Sequence, residues 1–187
     1  MSEHVRTINN VVLVGLSGSG KSTVGRYLAT RLNLPLYDTD ALIEAEAGRN
    51  AADIFASEGE AAFRQRESAV LNTVLAMSPA VIATGGGIVT VPANTESIRK
   101  QSFVVWLDAT TSAILTRITG HRQPRPLLQV ENPYERLEHM RQKRASLYRG
   151  IADLHMLTDG IHANAVAVRI AMLLPPHLDQ STREPHE

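Results

Sequence analysis

The residues best suited to chemistry lie near the start of the chain, at positions 15–22, where the sequence is Gly-Leu-Ser-Gly-Ser-Gly-Lys-Ser. This is the G-x-x-x-x-G-K-S pattern of a phosphate-binding P-loop. Its glycines let the backbone turn tightly and point N–H groups at a phosphate, and the positive end of a following helix strengthens the anion site. In such a loop Lys21 contacts the β- and γ-phosphates, and the Ser22 hydroxyl holds Mg²⁺.

The residues on either side support this interpretation. The apolar run Val-Val-Leu-Val at 11–14 predicts a buried strand before the loop, and the periodicity of residues 23–32 predicts a helix after it. The alternative is a glycine-rich turn that Lys and Ser follow by chance. The pattern does not identify the phosphoryl acceptor, because ATPases, GTPases, nucleotide kinases and metabolite kinases all share it.

Two further clusters follow predicted strands, at the sheet edge where open α/β folds place their ligands. The first is Asp-Thr-Asp at 38–40. Because two carboxylates beside a triphosphate would repel it, we expect one to face Mg²⁺ and the other an acceptor alcohol. Alternatively, one aspartate only caps the helix that starts near Ala41. The second cluster, Thr-Gly-Gly-Gly at 84–87, either presents bare backbone N–H groups to a ligand or forms a simple tight turn.

Several arginines could bind an anionic substrate or the migrating phosphoryl group through their guanidinium forks. Arg64 and Arg66 belong to a predicted helix, and Arg144 belongs to a later one. Arg122 and Arg125 lie in a proline-rich segment that is too broken for a helix and is typical of a mobile flap. Each could instead be a solvated surface charge, and their spacing alone does not choose among them.

The composition narrows the classes of protein and partner. The chain has 187 residues, which suits one α/β domain, and its 19 Lys and Arg balance its 19 Asp and Glu. That balance gives no basic field for nucleic acid. The absence of cysteine excludes disulfides, thiol catalysis and cysteine-based zinc sites. Because the first ten residues are polar and no apolar run could span a bilayer, we expect a cytoplasmic protein with no membrane or nucleic-acid partner.

Short apolar runs alternate with helical patterns, which predicts a parallel sheet built from βαβ units. The predicted strands are 11–14, 34–37, 80–84, 103–107 and 155–157. The predicted helices are 21–32, 40–47, 51–58, 60–77, a piece near 95–100, 112–119, 133–148 and 163–174. We expect Gly48, Gly59 and Gly150 at helix ends. Residues 1–175 would form a single domain, and the polar residues 176–187 would form a disordered tail.

Taken together, these clusters resemble the shikimate kinase family. The similar segments run in order from about Val11 to Leu174. They are the loop at 15–22, Asp-Thr-Asp at 38–40, Ala-Asp-Ile-Phe at 52–55, Phe-Arg at 63–64, Gly-Gly-Gly at 85–87, Arg-Pro-Leu-Leu at 125–128 and Arg-Ala-Ser-Leu-Tyr at 144–148. The resemblance implies a three-layer α/β P-loop kinase fold with a five-stranded parallel sheet flanked by helices. It also implies a substrate-binding region at about 38–62 and a mobile lid at about 119–131.

The implied reaction transfers the γ-phosphate of ATP to the 3-hydroxyl of shikimate, giving shikimate 3-phosphate and ADP in aromatic amino-acid biosynthesis. ATP is then a co-substrate and Mg²⁺ a cofactor, and we expect a monomer. The residues that match catalytic positions are Lys21, Asp40 and Arg125. Those that match shikimate contacts are Asp40, Arg64, Gly86 and Arg144. Those that match ATP contacts are Gly18, Ser19, Gly20, Lys21, Ser22, Thr23, Arg117 and Arg125. Ser22 and Asp38 match the Mg²⁺ site, the aspartate acting through water.

Other positions also have counterparts in the family. Phe55, Phe63 and Glu67 match residues that line or brace the acceptor pocket. Ile118 falls where some members carry an arginine that stacks on adenine, and Ser17 falls where many have proline. Two other functions stay open: a gluconate-type kinase, which shares the Gly-x-Ser-Gly-Ser-Gly-Lys-Ser loop, and a catalytically idle nucleotide-binding regulator.

Overall fold

The computed structural model describes residues 8–119 and 131–178. Within these ranges five strands form one parallel sheet in the order β2-β3-β1-β4-β5. The strands are β1 (Asn10–Val14), β2 (Leu36–Asp38), β3 (Val81–Ala83), β4 (Ser102–Asp108) and β5 (Leu154–Leu157). The predicted five-stranded parallel sheet is therefore confirmed.

Helices cover both faces of this sheet. They are α1 (Lys21–Leu32), α2 (Thr39–Ala47), α3 (Ala51–Ala76), α4 (Pro92–Gln101), α5 (Thr111–Thr119), α6 (Pro133–Ile151) and α7 (Ala163–Leu173), with short 3-10 helices at Ile88–Thr90 and Pro176–Leu178. Alternate residues of β1 face opposite sides. Val11 and Leu13 pack in the apolar layer under α1 and α7, whereas Val12 and Val14 pack in the layer that α3 to α6 supply. The arrangement is the predicted three-layer α/β fold.

Glycines end or break helices at two of the three predicted positions. Gly48 ends α2 with φ 66°, and Gly59 leaves helical geometry within α3 with φ 84° and ψ 170°. The prediction for Gly150 is wrong, because α6 continues through it to Ile151. A glycine inside a helix costs about 1 kcal/mol relative to alanine, which neighbouring packing can offset, so it need not end the helix.

The beginning of the predicted tail also needs correction. Residues Pro176–Leu178 form a 3-10 helix, and Leu178 is buried in the layer beside α1 and α7. The His177 Nε2 atom lies 3.0 Å from the carbonyl oxygen of Ile8. These contacts hold residues 176–178 against the domain, because burial of the apolar Leu178 side chain is favourable. Residues 179–187 lie outside the described ranges, so disorder there stays a prediction.

The single tryptophan, Trp106 in β4, is a packing centre between the sheet and α6. Its ring stacks on that of His155, with centroids 4.1 Å apart, and on that of Tyr148, with centroids 5.9 Å apart. The Arg149 guanidinium lies 5.7 Å from the centre of the same ring. No helix in the described ranges is long and apolar enough to cross a membrane.

Candidate active site

The phosphate loop lies between β1 and α1 and depends on glycine for its shape. Gly15, Gly18 and Gly20 have φ of 143°, 86° and 103°. Residues other than glycine rarely adopt these backbone angles. A Cβ at Gly15 would overlap the carbonyl oxygen of Leu107, and a Cβ at Gly18 would lie 2.7 Å from Ile118 Cγ2. The backbone path therefore excludes larger residues at both positions.

Lys21 is the first residue of α1, and its side chain is buried. Its Nζ donates hydrogen bonds to the carbonyl oxygens of Gly15 at 2.7 Å and Leu16 at 2.8 Å. The ammonium group therefore lies inside the curve of the loop, where an anion near the N-terminus of α1 would also meet the positive end of the helix dipole. The predicted contact of Lys21 with the β- and γ-phosphates stays a prediction.

A cleft of about 820 Å³ opens over this loop. It is lined by most of the residues that the sequence assigns to nucleotide and metal: Gly18, Ser19, Gly20, Lys21, Ser22, Thr23, Asp38 and Arg117. Asp40 lines the same cleft. The structure thus brings the predicted phosphate and metal residues together with Asp40, whereas Arg64, Gly86 and Arg144 do not line this cleft. Arg122 and Arg125, like residues 120–130 of the predicted lid, lie outside the described ranges.

Asp38 ends β2 and caps α2. Its Oδ1 accepts hydrogen bonds from the backbone N–H groups of Asp40 at 3.2 Å and Ala41 at 3.3 Å. The capping alternative is therefore right for this aspartate, but it accounts for only one of the two carboxylates. Capping uses Oδ1 alone. The Oδ2 atom accepts no hydrogen bond from the described residues.

The residues near Asp38 fit a magnesium ion that is held partly by water. In the described ranges no three carboxylate or imidazole side chains converge as a ready metal cage. Mg²⁺ in nucleotide sites typically needs only one or two protein ligands, because water and phosphate oxygens supply the rest. Ser22 and Asp38, which line the same cleft, meet that requirement.

Asp40 lies in the first turn of α2 with its carboxyl group largely removed from water. Burial raises its pKa to about 6, and the neighbouring carboxylates of Glu67 and Asp38 act in the same direction, whereas the Lys21 ammonium opposes them. The Oδ1 atom would lie 2.6 Å from a Cβ at Gly85, and Glu67 Oε1 would be closer still. Two carboxylates therefore converge on one glycine, and the role of Asp40 as a base stays a prediction.

The glycine triplet is tied to three parts of the site. The backbone N–H of Gly85 donates to Thr39 Oγ1 at 3.0 Å. The carbonyl oxygen of Gly86 accepts hydrogen bonds from Tyr148 Oη at 2.6 Å and Arg144 Nη1 at 3.1 Å. A Cβ at Gly86 would lie 2.9 Å from the Ser17 nitrogen of the phosphate loop. None of the three glycines has a positive φ, so glycine is needed here for close approach rather than for an unusual turn.

Arg64 is held by acidic neighbours on α3. Its Nη1 pairs with Glu67, and its Nη2 lies 3.2 Å from Glu60 Oε1. Burial raises the pKa of the Glu67 carboxyl, although Arg64 acts to lower it. The guanidinium packs against Gly87, where a Cβ would overlap it. In contrast, Arg66 pairs with Glu58 at 3.0 Å, so these arginines of one helix have different environments.

Arg117, near the end of α5, lines the cleft and contacts the phosphate loop. Its Nη1 donates to Ser19 O at 3.2 Å and to Thr158 Oγ1 at 2.9 Å, and its Nη2 donates to Thr158 O at 2.6 Å. Its predicted contact with the nucleotide stays a prediction. Of the residues predicted to line the acceptor pocket, Phe63 is buried and Phe55 is exposed, with ring centroids 5.8 Å apart.

Sequence reasoning missed three side chains that organise the site. Tyr148 fixes Gly86, Thr39 accepts from Gly85, and Thr158 contacts the phosphate loop. A signal was available for Tyr148, because it lies four residues after Arg144 and so faces the same side of α6. Burial raises the pKa of Tyr148 to about 12, so its hydroxyl keeps its proton and donates. For Thr158 no local pattern was informative, since the contact spans 139 positions.

Comparison with known proteins agrees with this geometry. The family model described as "Shikimate kinase" matches residues 17–174. A shikimate kinase from Symbiobacterium thermophilum is 48% identical over 153 residues, which cover 80% of this chain and 87% of the relative. One from Halorhodospira halophila is 46% identical over 171 residues, covering 91% and 96%.

Comparison with solved structures also finds shikimate kinases. The shikimate kinase from Acinetobacter baumannii in complex with shikimate superposes with a TM-score of 0.84 at 40% identity, covering 90% of this chain and 93% of that one. A gluconokinase from Sinorhizobium meliloti, at 18% identity and a TM-score of 0.54, shares the fold alone. The first match rests on sequence and structure together, and the chain belongs to the shikimate kinase family.

Proposed function

We propose that the chain transfers the γ-phosphate of ATP to the 3-hydroxyl of shikimate, giving shikimate 3-phosphate and ADP. Membership of the shikimate kinase family supports this reaction. The observation that carries the proposal is the position of Asp40. It lines the cleft over the phosphate loop and lies beside Gly85. The next residue, Gly86, accepts a hydrogen bond from Arg144. A hydroxyl bound there would meet both a base and a nucleotide phosphate.

On the nucleotide side, charge neutralisation does most of the chemical work, because phosphoryl transfer depends on alignment and electrostatics rather than covalent help. Lys21 would exchange the carbonyls of Gly15 and Leu16 for phosphate oxygens. Mg²⁺, when bound, would neutralise charge on the β- and γ-phosphates, and Ser22 and Asp38 are the residues that would hold it, the aspartate through water.

On the acceptor side, Asp40 would accept a hydrogen bond from the attacking hydroxyl and then take its proton. A carboxyl with a pKa of about 6 is mostly ionised at pH 7 yet is a stronger base than an ordinary aspartate. Arg64 and Arg144 would grip the carboxylate of shikimate, since guanidinium forks match carboxylate geometry. Gly86, which holds Arg144 in place, would lie against the same ligand.

Three further parts of this proposal come from the family resemblance. Arg125 would reach the transferring phosphate, and closure of the lid at 119–131 would exclude water that otherwise competes for the γ-phosphate. Arg117 would border the nucleotide. A monomeric state and a cytoplasmic location also stay predictions.

The test is ADP release by the purified protein with Mg·ATP, comparing shikimate, gluconate, quinate and no acceptor, with the product identified by mass. We expect stimulation by shikimate and a product heavier by one phosphoryl group. Asp40→Asn should remove this stimulation, and Glu46→Gln, an exposed change on the same helix, should not. Equal stimulation by gluconate would contradict the assigned acceptor, and tight ATP binding without stimulation by any acceptor would favour a regulator.

A further inference from the structure

Two side chains, Thr158 and Arg117, contact the phosphate loop at the carbonyl oxygen of Ser19. We propose that Thr158 is a positioning residue for nucleotide binding: its hydroxyl, together with Arg117, fixes the peptide between Ser19 and Gly20 so that the Gly20 N–H faces the phosphate. The inference rests on the proposed function only in requiring that the cleft bind a nucleoside diphosphate.

Three contacts of Thr158 involve its own hydroxyl oxygen, Oγ1. Its Oγ1 lies 3.2 Å from Ser19 O and 3.1 Å from Asp108 O, and it accepts a hydrogen bond from Arg117 Nη1 at 2.9 Å. The residue is only 3% exposed, and its backbone N–H donates to Asp108 O at 2.9 Å. Thr158 is therefore anchored to the end of β4, and its hydroxyl is a fixed point against which the loop can be held.

The contact with Ser19 O determines which way the peptide between Ser19 and Gly20 is oriented. In a trans peptide the C=O of one residue and the N–H of the next point in opposite directions. Because Thr158 and Arg117 hold Ser19 O, the Gly20 N–H must point away from them. Gly20 lines the cleft directly before the N-terminus of α1, so an N–H on that side is available to a phosphate bound there.

Other groups of the loop do not fix this peptide. The Ser19 N–H is already used, since it donates to Leu16 O at 3.1 Å. The Ser19 hydroxyl is buried and makes no hydrogen bond with the described residues, so the side chain of Ser19 does not set the orientation. Gly20 has φ 103°, a conformation that glycine can leave at little cost. An external restraint is therefore needed.

The two sides of the loop differ in how they respond to a ligand. Lys21 holds the carbonyls of Gly15 and Leu16 from inside the loop, and it must leave them to reach a phosphate. Thr158 and Arg117 instead hold the carbonyl oxygen of Ser19, which an anionic phosphate does not contact, so phosphate binding does not require them to leave. Because their hydrogen bonds form without a ligand, the loop is shaped in advance and less of the binding free energy is used to order it.

The test compares Thr158→Val, which keeps the shape but removes the hydroxyl, with Thr158→Ser, which keeps the hydroxyl. ADP binding is measured by calorimetry without acceptor, so the result does not depend on which alcohol is phosphorylated. Although Thr158→Val also removes the hydrogen bond from Arg117, only the bond to Ser19 O orients the loop peptide directly, so we expect the Kd of ADP to rise by about 3- to 10-fold. Thr158→Ser should restore it to within twofold of the unmodified chain.

The matched control is Thr116→Val, which makes the same chemical change on α5 at an exposed hydroxyl that bonds to Ser112 O. Its ADP affinity should be unchanged. If Thr158→Val does not fold, Thr158→Ala serves instead, because it differs from Thr158→Ser only by the hydroxyl, and the same rise in Kd relative to Thr158→Ser is expected. An ADP Kd within twofold of the unmodified chain for a folded variant, or no recovery with Thr158→Ser, overturns the proposal.

Discussion

Keeping Asp40 ionised in the site should reduce the stability of the fold, and replacing it with Asn should recover that stability. Burial raises the pKa of Asp40 from 3.8 to about 6. At about 1.4 kcal/mol for each pKa unit, this difference corresponds to roughly 3 kcal/mol of unfolding free energy. The cost is specific to the charge, because Asn has nearly the same size and keeps a polar carbonyl.

The sign of the pH dependence follows from where the proton is bound. Below pH 3.8 the Asp40 carboxyl is protonated in both folded and unfolded chains, and it costs nothing. Between pH 3.8 and about 6 the unfolded chain releases this proton first, so stability falls as the pH rises. Above pH 6 the full cost of about 3 kcal/mol remains. We therefore expect Asp40→Asn to be more stable than the unmodified chain at pH 7.5, and nearly equal to it at pH 4.

The assay is differential scanning calorimetry of both proteins at pH 4 and pH 7.5. For a domain of this size 1 kcal/mol corresponds to about 2–4 °C, so Tm should rise by roughly 6–12 °C at pH 7.5. The same variant should lose shikimate-dependent turnover by about a hundredfold or more. Glu46→Gln on α2 is the control, and it should change neither quantity. A Tm difference that is absent at pH 7.5, or equal at both pH values, would refute this account of Asp40.

Three further outcomes follow from the site. In the pH profile of kcat/KM, the acid limb should have a midpoint near 6, because the free enzyme needs ionised Asp40, and a flat profile down to pH 5 would contradict its role as base. Arg144→Gln should raise the KM for shikimate by about 10- to 100-fold, since one charge-assisted hydrogen bond is lost, whereas Arg66→Gln should leave it unchanged. Gly18→Ala should weaken ATP binding, because its Cβ would lie under 3 Å from two isoleucine methyl groups. Gly48→Ala, at a position that has open space around it and does not line the cleft, should keep normal ATP binding and measures the cost of a positive φ alone.

The sequence predicted those features that depend on neighbours along the chain. Strands and helices followed from periodicity, and the phosphate loop followed from glycine and lysine spacing, so α1 has the predicted bounds. The start of α4 at Pro92 was missed by three residues, although proline in a first helical turn is a known signal. Gly150 was assigned to a helix end because a single glycine does not show whether packing will hold it in a helix.

Features that depend on distant parts of the chain were not predictable from local patterns. The side-by-side position of Asp40 and Glu67 around Gly85 joins α2, α3 and the end of β3, and it raises the Asp40 pKa by burial. The contact between Thr158 and Ser19 likewise joins opposite ends of the sequence. The family resemblance named Asp40 as a base without giving the physical cause of its basicity, which only the assembled site provides.

The packing around Trp106 gives the protein an internal optical probe. Tyr148 lies between two neighbours, because its ring stacks on Trp106 while its hydroxyl donates to the Gly86 carbonyl. Any ligand that shifts the glycine triplet therefore changes the surroundings of the indole. Since the chain has one tryptophan, 4% exposed, its emission spectrum arises from a single dry environment. If shikimate binds beside the glycine triplet as proposed, tryptophan fluorescence should follow its binding in real time, without a label and without turnover.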